Sequence, residues 1–163
     1  MRLVRQADES DFERIIEIEK SAFLTRGSVR AKVREHFRCF PAGVFVDWKS
    51  RGYLMSILID KHHDLFDFEH CSGADYLYIT SVAVAPGEQG KGVGTRLINT
   101  ALEHFKLPGL LCVAPENTGA ARLYRNLGFR KCGTVYRFFY DETGKSYDGN
   151  VMRQPLTKKI AKP

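Results

Sequence analysis

The order of periodic segments in this 163-residue chain predicts a mixed α/β sheet with helices on both faces. Strand-like and helix-like patterns follow one another in the order β-α-α-β-β-β-α-β-α-β-β. A glycine-rich turn joins a central strand pattern to a strongly amphipathic helix pattern. The length fits a single domain, residues 1–163, with a hydrophobic core of its own.

The N-terminal part predicts one short strand and two helices. Residues 2–6 are predicted to form an edge strand, and Ser10 with Glu13 forms a capping-box pair at the start of the first helix. That helix has an apolar face with acidic residues opposite. The apolar face consists of Phe12, Ile15, Ile16, Ala22 and Phe23. Ser28 is predicted to cap the second helix, which ends near Phe37.

The middle of the chain predicts a hairpin and then the central strand. Residues 43–48 and 53–59 are β-rich and are joined by Lys-Ser-Arg-Gly, which predicts a hairpin. Residues 61–74 are predicted to be a loop, and the strand at 76–85 ends at Pro86. The later predicted elements are a helix at 93–105, a strand at 109–114, a helix from Asn117 to Gly128, and strands at 129–140 and 147–156.

Composition places the chain among globular proteins, with 44% hydrophobic and 27% charged residues. The longest apolar run, residues 53–59, is far too short to span a bilayer. The N-terminal residues lack the apolar region of a signal peptide, so a cytoplasmic location is predicted.

The net charge of +6 is compatible with a phosphorylated cofactor, an acidic substrate or nucleic acid. Because zinc-finger and RNA-binding signatures are lacking, the charge is interpreted as a solvated surface with a cofactor bias. The cysteines are widely spaced and are predicted to be reduced. No metal site is predicted, because one His-rich cluster matches no compact zinc spacing and is interpreted as an exposed loop. That cluster comprises His62, His63, Asp64, Glu69 and His70.

The turn between the central strand and the helix at 93–105 reads Gln89-Gly90-Lys91-Gly92-Val93-Gly94. Glycines at a strand-to-helix turn leave backbone N–H groups accessible at the positive end of the helix dipole, which favours an anion. The segment lacks the Gly-Lys-Ser/Thr of a P-loop, and its position in the chain does not fit a dinucleotide fingerprint. It therefore predicts a binding site for some other phosphate-bearing cofactor.

The Gln-x-x-Gly-x-Gly pattern, preceded by residues 82–86, resembles the pyrophosphate-binding segment of the GNAT superfamily of N-acetyltransferases. A second match follows at the spacing of that family, over residues 117–129. It consists of Asn117, Ala120, Ala121, Leu123, Tyr124, Leu127, Gly128 and Phe129. Together the two matches cover residues 76–130, with likeness also to the ribosomal-protein alanine N-acetyltransferase type.

This resemblance implies a mainly antiparallel sheet of six to seven strands, with a splay between the central strands that receives acetyl-CoA. Gly92 and Gly94 would leave room for the diphosphate oxygens, and Lys91 would add a point charge. A backbone N–H near Val82 would stabilise the oxyanion, and Tyr124 would act as the acid for the departing thiolate. The cofactor-binding residues implied are Val82, Val84, Gln89, Gly90, Lys91, Gly92, Val93, Gly94, Thr95 and Asn117.

The resemblance does not identify a general base. Histone-type members carry a glutamate at the position of Tyr78, and the ribosomal-protein type carries one at the position of Cys112. Ordered water held by Tyr78 and Thr80 is an alternative route for the proton. No base is assigned.

The predicted function is acetyl transfer from acetyl-CoA to a primary amine of a protein N-terminus, a lysine or a small molecule. Residues 23–38 and 136–150 would shape the acceptor groove, where Asp141, Glu142 and Asp148 would attract the amine. The alternative is a non-catalytic acyl-CoA sensor on the same fold. A membrane partner is not predicted, nucleic acid ranks last, and the chain is expected to be a monomer or a homodimer.

Overall fold

The computed structural model describes residues 3–23, 29–60, 75–141 and 143–154. Within these ranges the predicted order of strands and helices is confirmed. The elements of the first half are β1 (Val4–Gln6), α1 (Phe12–Ala22), α2 (Val29–Cys39), β2 (Val44–Asp47), β3 (Gly52–Ile59) and β4 (Tyr76–Val84). Those of the second half are α3 (Val93–Phe105), β5 (Gly109–Val113), α4 (Thr118–Asn126), β6 (Arg130–Tyr140) and β7 (Ser146–Arg153).

The strands form one sheet in the order β1-β2-β3-β4-β5-β7-β6, so β1 is an edge strand as predicted. Every neighbouring pair is antiparallel except β4 and β5. These two strands pair only where Leu77–Ile79 faces Gly109–Leu111, although both continue further along the chain. The predicted splay between the central strands is therefore confirmed.

A β-bulge in β4 changes which side chains face which helices. Met55 lies opposite Ser81, but the next residue of β3 lies opposite Ile79, so Thr80 is an extra residue. The extra residue shifts the side-chain alternation along β4. As a result, Ser81 faces the side of α1 and α2, whereas Val82 packs towards α3 and α4.

Helices cover both faces of the sheet, as predicted. On one side α3 and α4 pack against a core that includes Leu54, Leu77, Leu97, Ile98 and Phe129. On the other side α1 and α2 pack against a core that includes Ile15, Ile18, Val33, Tyr53 and Met55. In the described ranges, every helix falls short of the length and hydropathy needed to cross a bilayer.

The start of α1 differs from the prediction. The side chain of Asp8 accepts from the Ser10 amide at 2.9 Å, and the side chain of Asp11 accepts from the Asp8 amide at 2.9 Å. This reciprocal cap surrounds a 3₁₀ turn that leads into the helix. The capping box of Ser10 with Glu13 is therefore wrong, because the chain turns two residues earlier and Glu13 instead pairs with Arg30 at 2.7 Å.

A buried carboxylate also departs from the predicted pattern, in which the acidic residues of the first helix face away from the core. Glu19 is fully buried on α1 and pairs with Lys32 of α2. Its second oxygen accepts from the Ser81 hydroxyl at 2.9 Å, and that hydroxyl lies 2.9 Å from the Tyr53 hydroxyl. The network joins α1, α2 and the bulged strand β4, while the predicted inward residue Ala22 is exposed.

We predict that Glu19→Ala lowers the free energy of unfolding by about 1–3 kcal/mol, because Ser81 loses its buried acceptor. Lys32 is half-exposed and regains water, so the full penalty of a broken buried ion pair is not expected. Glu17→Ala, at an exposed site on the same helix, is the control and should change stability by less than about 0.5 kcal/mol. Equal effects in urea unfolding would contradict a specific role for Glu19.

Candidate active site

A cleft opens where β4 and β5 diverge. It consists of two adjoining cavities, a glycine-turn cavity of about 640 Å³ and an aromatic cavity of about 770 Å³. The residues that line both are Phe23, Val82, Asn117, Ala120 and Tyr124. The two cavities therefore meet at the splay, with Tyr124 at their junction.

The glycine-turn cavity brings together nine of the ten residues predicted to bind a cofactor. These are Val82, Val84, Gln89, Gly90, Gly92, Val93, Gly94, Thr95 and Asn117. Lys91 is not among the lining residues, and its ammonium lies 3.4 Å from the Glu88 carboxylate. Arg122 of α4 also lines this cavity and adds a cation that the sequence analysis did not single out.

The turn before α3 has the backbone that its glycines permit. Gly90 and Gly92 have φ angles of 76° and 74°, in the left-handed region that other residues rarely adopt. Gly92 caps α3, and its carbonyl accepts from the Arg96 amide at 3.1 Å. The amides of Val93, Gly94 and Thr95 precede this first intrahelical bond, so they are donors at the positive end of the helix.

Packing favours a glycine at position 94, in addition to the predicted need for room beside the diphosphate oxygens. A Cβ at this position would lie 3.3 Å from Leu123 Cδ2 and 3.8 Å from Val84 Cγ2. The glycine thus lets the first turn of α3 lie close to α4 and β4. This contact holds the turn beside the open end of β4.

The backbone groups of Val82 and Val84 face the cleft. The Ala85 amide donates to the Arg51 carbonyl at 2.7 Å, so Ala85 directs its hydrogen-bonding groups towards the β3 side. Hydrogen-bonding direction alternates along an antiparallel strand, so Val82 and Val84 direct theirs towards the gap beside β5. In agreement, Gln89 Nε2 lies 3.4 Å from the Val84 carbonyl on that side.

Asn117 and Tyr124 both belong to the α4 segment. The Asn117 side-chain oxygen accepts from the Ala120 amide at 3.1 Å, so this residue caps the helix in addition to lining both cavities. Tyr124 packs against Phe129 with ring centroids 5.9 Å apart. Burial raises the pKa of Tyr124 to about 12, so its phenol stays protonated at neutral pH and can donate a hydrogen bond.

The aromatic cavity has an apolar wall and a polar wall. Besides Tyr124, its aromatic residues are Phe23, Phe138, Phe139, Tyr140 and Tyr147. Thr80 and Ser81 contribute hydroxyl groups from the bulge of β4, and Lys32 contributes a cation from α2. This arrangement suits a ligand with an apolar group beside a polar one.

Neither residue at the family's glutamate positions is ionised at neutral pH. Burial raises the pKa of Cys112 to about 12 and raises that of Tyr78 further above its ordinary value. His36 is a titratable group that the sequence analysis missed, and its Nε2 lies 2.8 Å from Thr80 Oγ1. Burial lowers the pKa of His36, so this imidazole is neutral near pH 7. The contact spans 44 residues of sequence, and no local pattern signals it.

The acids of the last hairpin have hydrogen-bond partners of their own. The Asp141 carboxylate accepts from the Thr143 hydroxyl and from the Lys145 backbone amide. It also accepts, at 2.9 Å, from the Tyr147 hydroxyl. Asp148 accepts from the Arg137 amide at 3.0 Å. Both carboxylates therefore order the hairpin that borders the aromatic cavity. Glu142 and the cluster at 61–74 lie outside the described residues.

The fold is that of a known family. Residues 12–129 match the model of the acetyltransferase (GNAT) family, and the chain belongs to that family. The family that the glycine turn and the Asn117 segment predicted is thereby confirmed.

Two curated relatives and one solved structure show the range of similarity. Mycothiol acetyltransferase of Saccharopolyspora erythraea is 30% identical over 124 residues, which cover 71% of this chain but only 36% of that protein. The [ribosomal protein bS18]-alanine N-acetyltransferase of Haemophilus influenzae is 24% identical over 93% of this chain and 97% of its own. Arabidopsis thaliana NAA60, solved with acetyl-CoA, superposes with a TM-score of 0.75 at 20% identity, covering 95% of this chain and 98% of that one.

The hairpin beside the aromatic cavity should lose stability in acid. Hydrogen bonds, chiefly from the Thr143 hydroxyl, lower the pKa of Asp141 from 3.8 to about 2. A carboxylate with a depressed pKa in the folded state stabilises the fold above pH 4, and this contribution disappears as the pH falls towards 2. The melting temperature of wild type should therefore exceed that of Asp141→Ala at pH 5, and the gap should narrow by pH 2. A constant gap would contradict the role given to Asp141.

Proposed function

We propose that this protein is an acetyl-CoA-dependent N-acetyltransferase that moves the acetyl group to a primary amine by direct attack on the thioester. The observation that carries the proposal is the cleft at the splay, which joins the glycine-turn amides and Tyr124 in one continuous space. Membership of the acetyltransferase (GNAT) family supports the same activity.

The donor occupies the glycine-turn cavity. The amides between Gly90 and Thr95 hold the diphosphate, since they lie at the positive end of α3. Backbone groups of Val82 and Val84 bind the pantetheine arm along the open edge of β4. Arg122 adds positive charge on the opposite wall, and the thioester reaches the junction at Tyr124.

In the transfer step the nitrogen lone pair attacks the thioester carbon. A C–N bond forms, the C–S bond breaks, and the electron pair of that bond remains on sulfur as a thiolate. The proton that the attacking nitrogen must lose to become an amide passes to water. The Val82 amide stabilises the oxyanion that develops on the carbonyl oxygen. Tyr124 stabilises the thiolate by donating a hydrogen bond. Complete transfer of its proton is uphill, because the phenol pKa of about 12 exceeds the ordinary thiol value of about 8.5.

The acceptor class that we propose is the α-amine of a peptide N-terminus. Tyr78 and Cys112 are not ionised near neutral pH, so the amine loses its proton to water at the polar wall of Thr80 and Ser81. At pH 7.5 about a third of an α-amine is already neutral, compared with about 0.1% of a lysine side chain. The aromatic wall then receives an apolar first side chain.

A relative that this chain matches over nearly its whole length also supports the proposed acceptor class. The Haemophilus relative, which this chain matches over nearly its whole length, acetylates an alanine of a ribosomal protein, and this supports a peptide acceptor. A cytoplasmic location and a monomeric or homodimeric state stay predictions of the sequence.

The second candidate function is a non-catalytic acyl-CoA sensor, which the lack of an ionised base at Tyr78 and Cys112 favours.

The test is an acetyl-transfer assay with matched peptides. One peptide set has a free N-terminus and no lysine, the other has a blocked N-terminus and one lysine, and thiol release and peptide mass are both measured. We expect acetylation of the first set. Tyr124→Phe should reduce turnover by about tenfold or more, the value of a hydrogen bond to a charged group, while the Kd of coenzyme A stays within about twofold.

Tyr136→Phe is the matched control, because Tyr136 is 79% exposed on β6 and does not line the cleft. It should leave both quantities unchanged. Tight coenzyme A binding without acetylation of any peptide or small amine would support the sensor. Unchanged turnover in Tyr124→Phe would exclude Tyr124 from the chemistry.

A further inference from the structure

Arg96 lies behind the glycine turn rather than in the cavity. It belongs to the first turns of α3, and its side chain folds back so that Nη1 donates to the Lys91 carbonyl at 3.2 Å. The same Nη1 lies 3.1 Å from the place that a Cβ on Gly92 would occupy. Arg96 is not among the residues that line the glycine-turn cavity, so any effect on a ligand passes through the turn.

The bond to Lys91 fixes the direction of one amide in the turn. In a trans peptide the C=O and the following N–H point in opposite directions. Arg96 holds the Lys91 carbonyl on the protein side, so the Gly92 N–H points to the other side. Because Gly92 lines the cavity, this orientation presents its N–H to a ligand there.

The Arg96 guanidinium is itself held in place. Its Nη2 lies 3.9 Å from Oδ1 of Asp47, a fully buried carboxylate at the end of β2. Arg51 grips the same carboxylate through bonds of 2.8 and 3.0 Å. Burial disfavours the ionised form of Asp47, but the hydrogen bonds from Arg51 and from the Lys49 amide have the larger combined effect. The pKa of Asp47 is therefore lowered.

One donor of Arg96 is left without a partner. Its Nε is buried and makes no hydrogen bond within the described part of the chain. A buried unsatisfied donor is unfavourable, and the contacts of the guanidinium with Lys91 and Asp47 leave this one unsatisfied.

We propose that Arg96 is a positioning residue that orients the Lys91–Gly92 peptide for the diphosphate of the acyl donor. This inference rests on the proposed function. Arg96 aligns the Gly92 amide and places its positive charge beneath the phosphate oxygens. Its removal should therefore weaken ligands that carry the diphosphate and spare the pantetheine arm, which binds along β4.

The test compares two ligands that share one arm. Coenzyme A contains the diphosphate and an adenosine 3′-phosphate, and acetyl-pantetheine carries the same arm without either. Calorimetry with the full chain gives the Kd of coenzyme A, and displacement of a weakly bound probe gives that of acetyl-pantetheine. For Arg96→Gln we expect the Kd of coenzyme A to rise tenfold or more and that of acetyl-pantetheine to stay within twofold.

Arg130→Gln is the matched control, because Arg130 also donates to backbone carbonyls, at 2.9 and 3.2 Å, but at the far end of α4. It should change neither Kd. If Arg96→Gln does not fold, Arg96→Lys is the second variant. It keeps the positive charge but lacks the planar guanidinium with its fixed donors, so a smaller loss of affinity, confined to coenzyme A, is expected. Equal weakening of both ligands, or of neither, would overturn the inference. A wild-type protein that binds neither ligand would instead refute the proposed function.

Discussion

The short parallel pairing of β4 with β5 is the constraint on which the rest of the site depends. The two strands share only three paired positions, at Leu77–Ile79, and then separate. Backbone groups that would otherwise complete a sheet are left facing a gap, where an unpaired polar group is costly unless a ligand or water satisfies it. The helices that follow these strands, α3 and α4, supply the walls of that gap. The cofactor, oxyanion and leaving-group functions that we propose would thereby lie around one opening.

The two sides of the cleft use different physical means. The glycine-turn side relies on backbone amides and on the dipole of α3, so it needs glycine conformations more than particular side chains. The aromatic side relies on shape and on side chains that are not ionised, because burial keeps Tyr124 and Cys112 protonated. An acceptor whose amine is partly neutral in water is suited to such a wall. The chemistry that we propose thus depends on positioning more than on a strong base.

Local patterns predicted the elements well because periodicity and turn residues act over a few positions. The glycine turn, the Asn117 cap and the hairpin before β4 all follow from adjacent residues. The parts that the sequence did not predict depend on contacts distant in the chain. Glu19 is buried because Ser81 lies opposite it, and Ser81 faces that way because Thr80 is an extra residue in β4. Contacts of this kind carry no period that a single sequence reveals.

The central claim is that the amides of the glycine turn bind the diphosphate of coenzyme A. Amide chemical shifts measured by ¹H–¹⁵N NMR during a titration with coenzyme A test it most directly, since they need no acceptor. The largest downfield changes should occur at Gly92, Gly94 and Thr95, with smaller changes along Val82 and Val84. Saturation of the protein with coenzyme A while the turn resonances stay unmoved would contradict the claim.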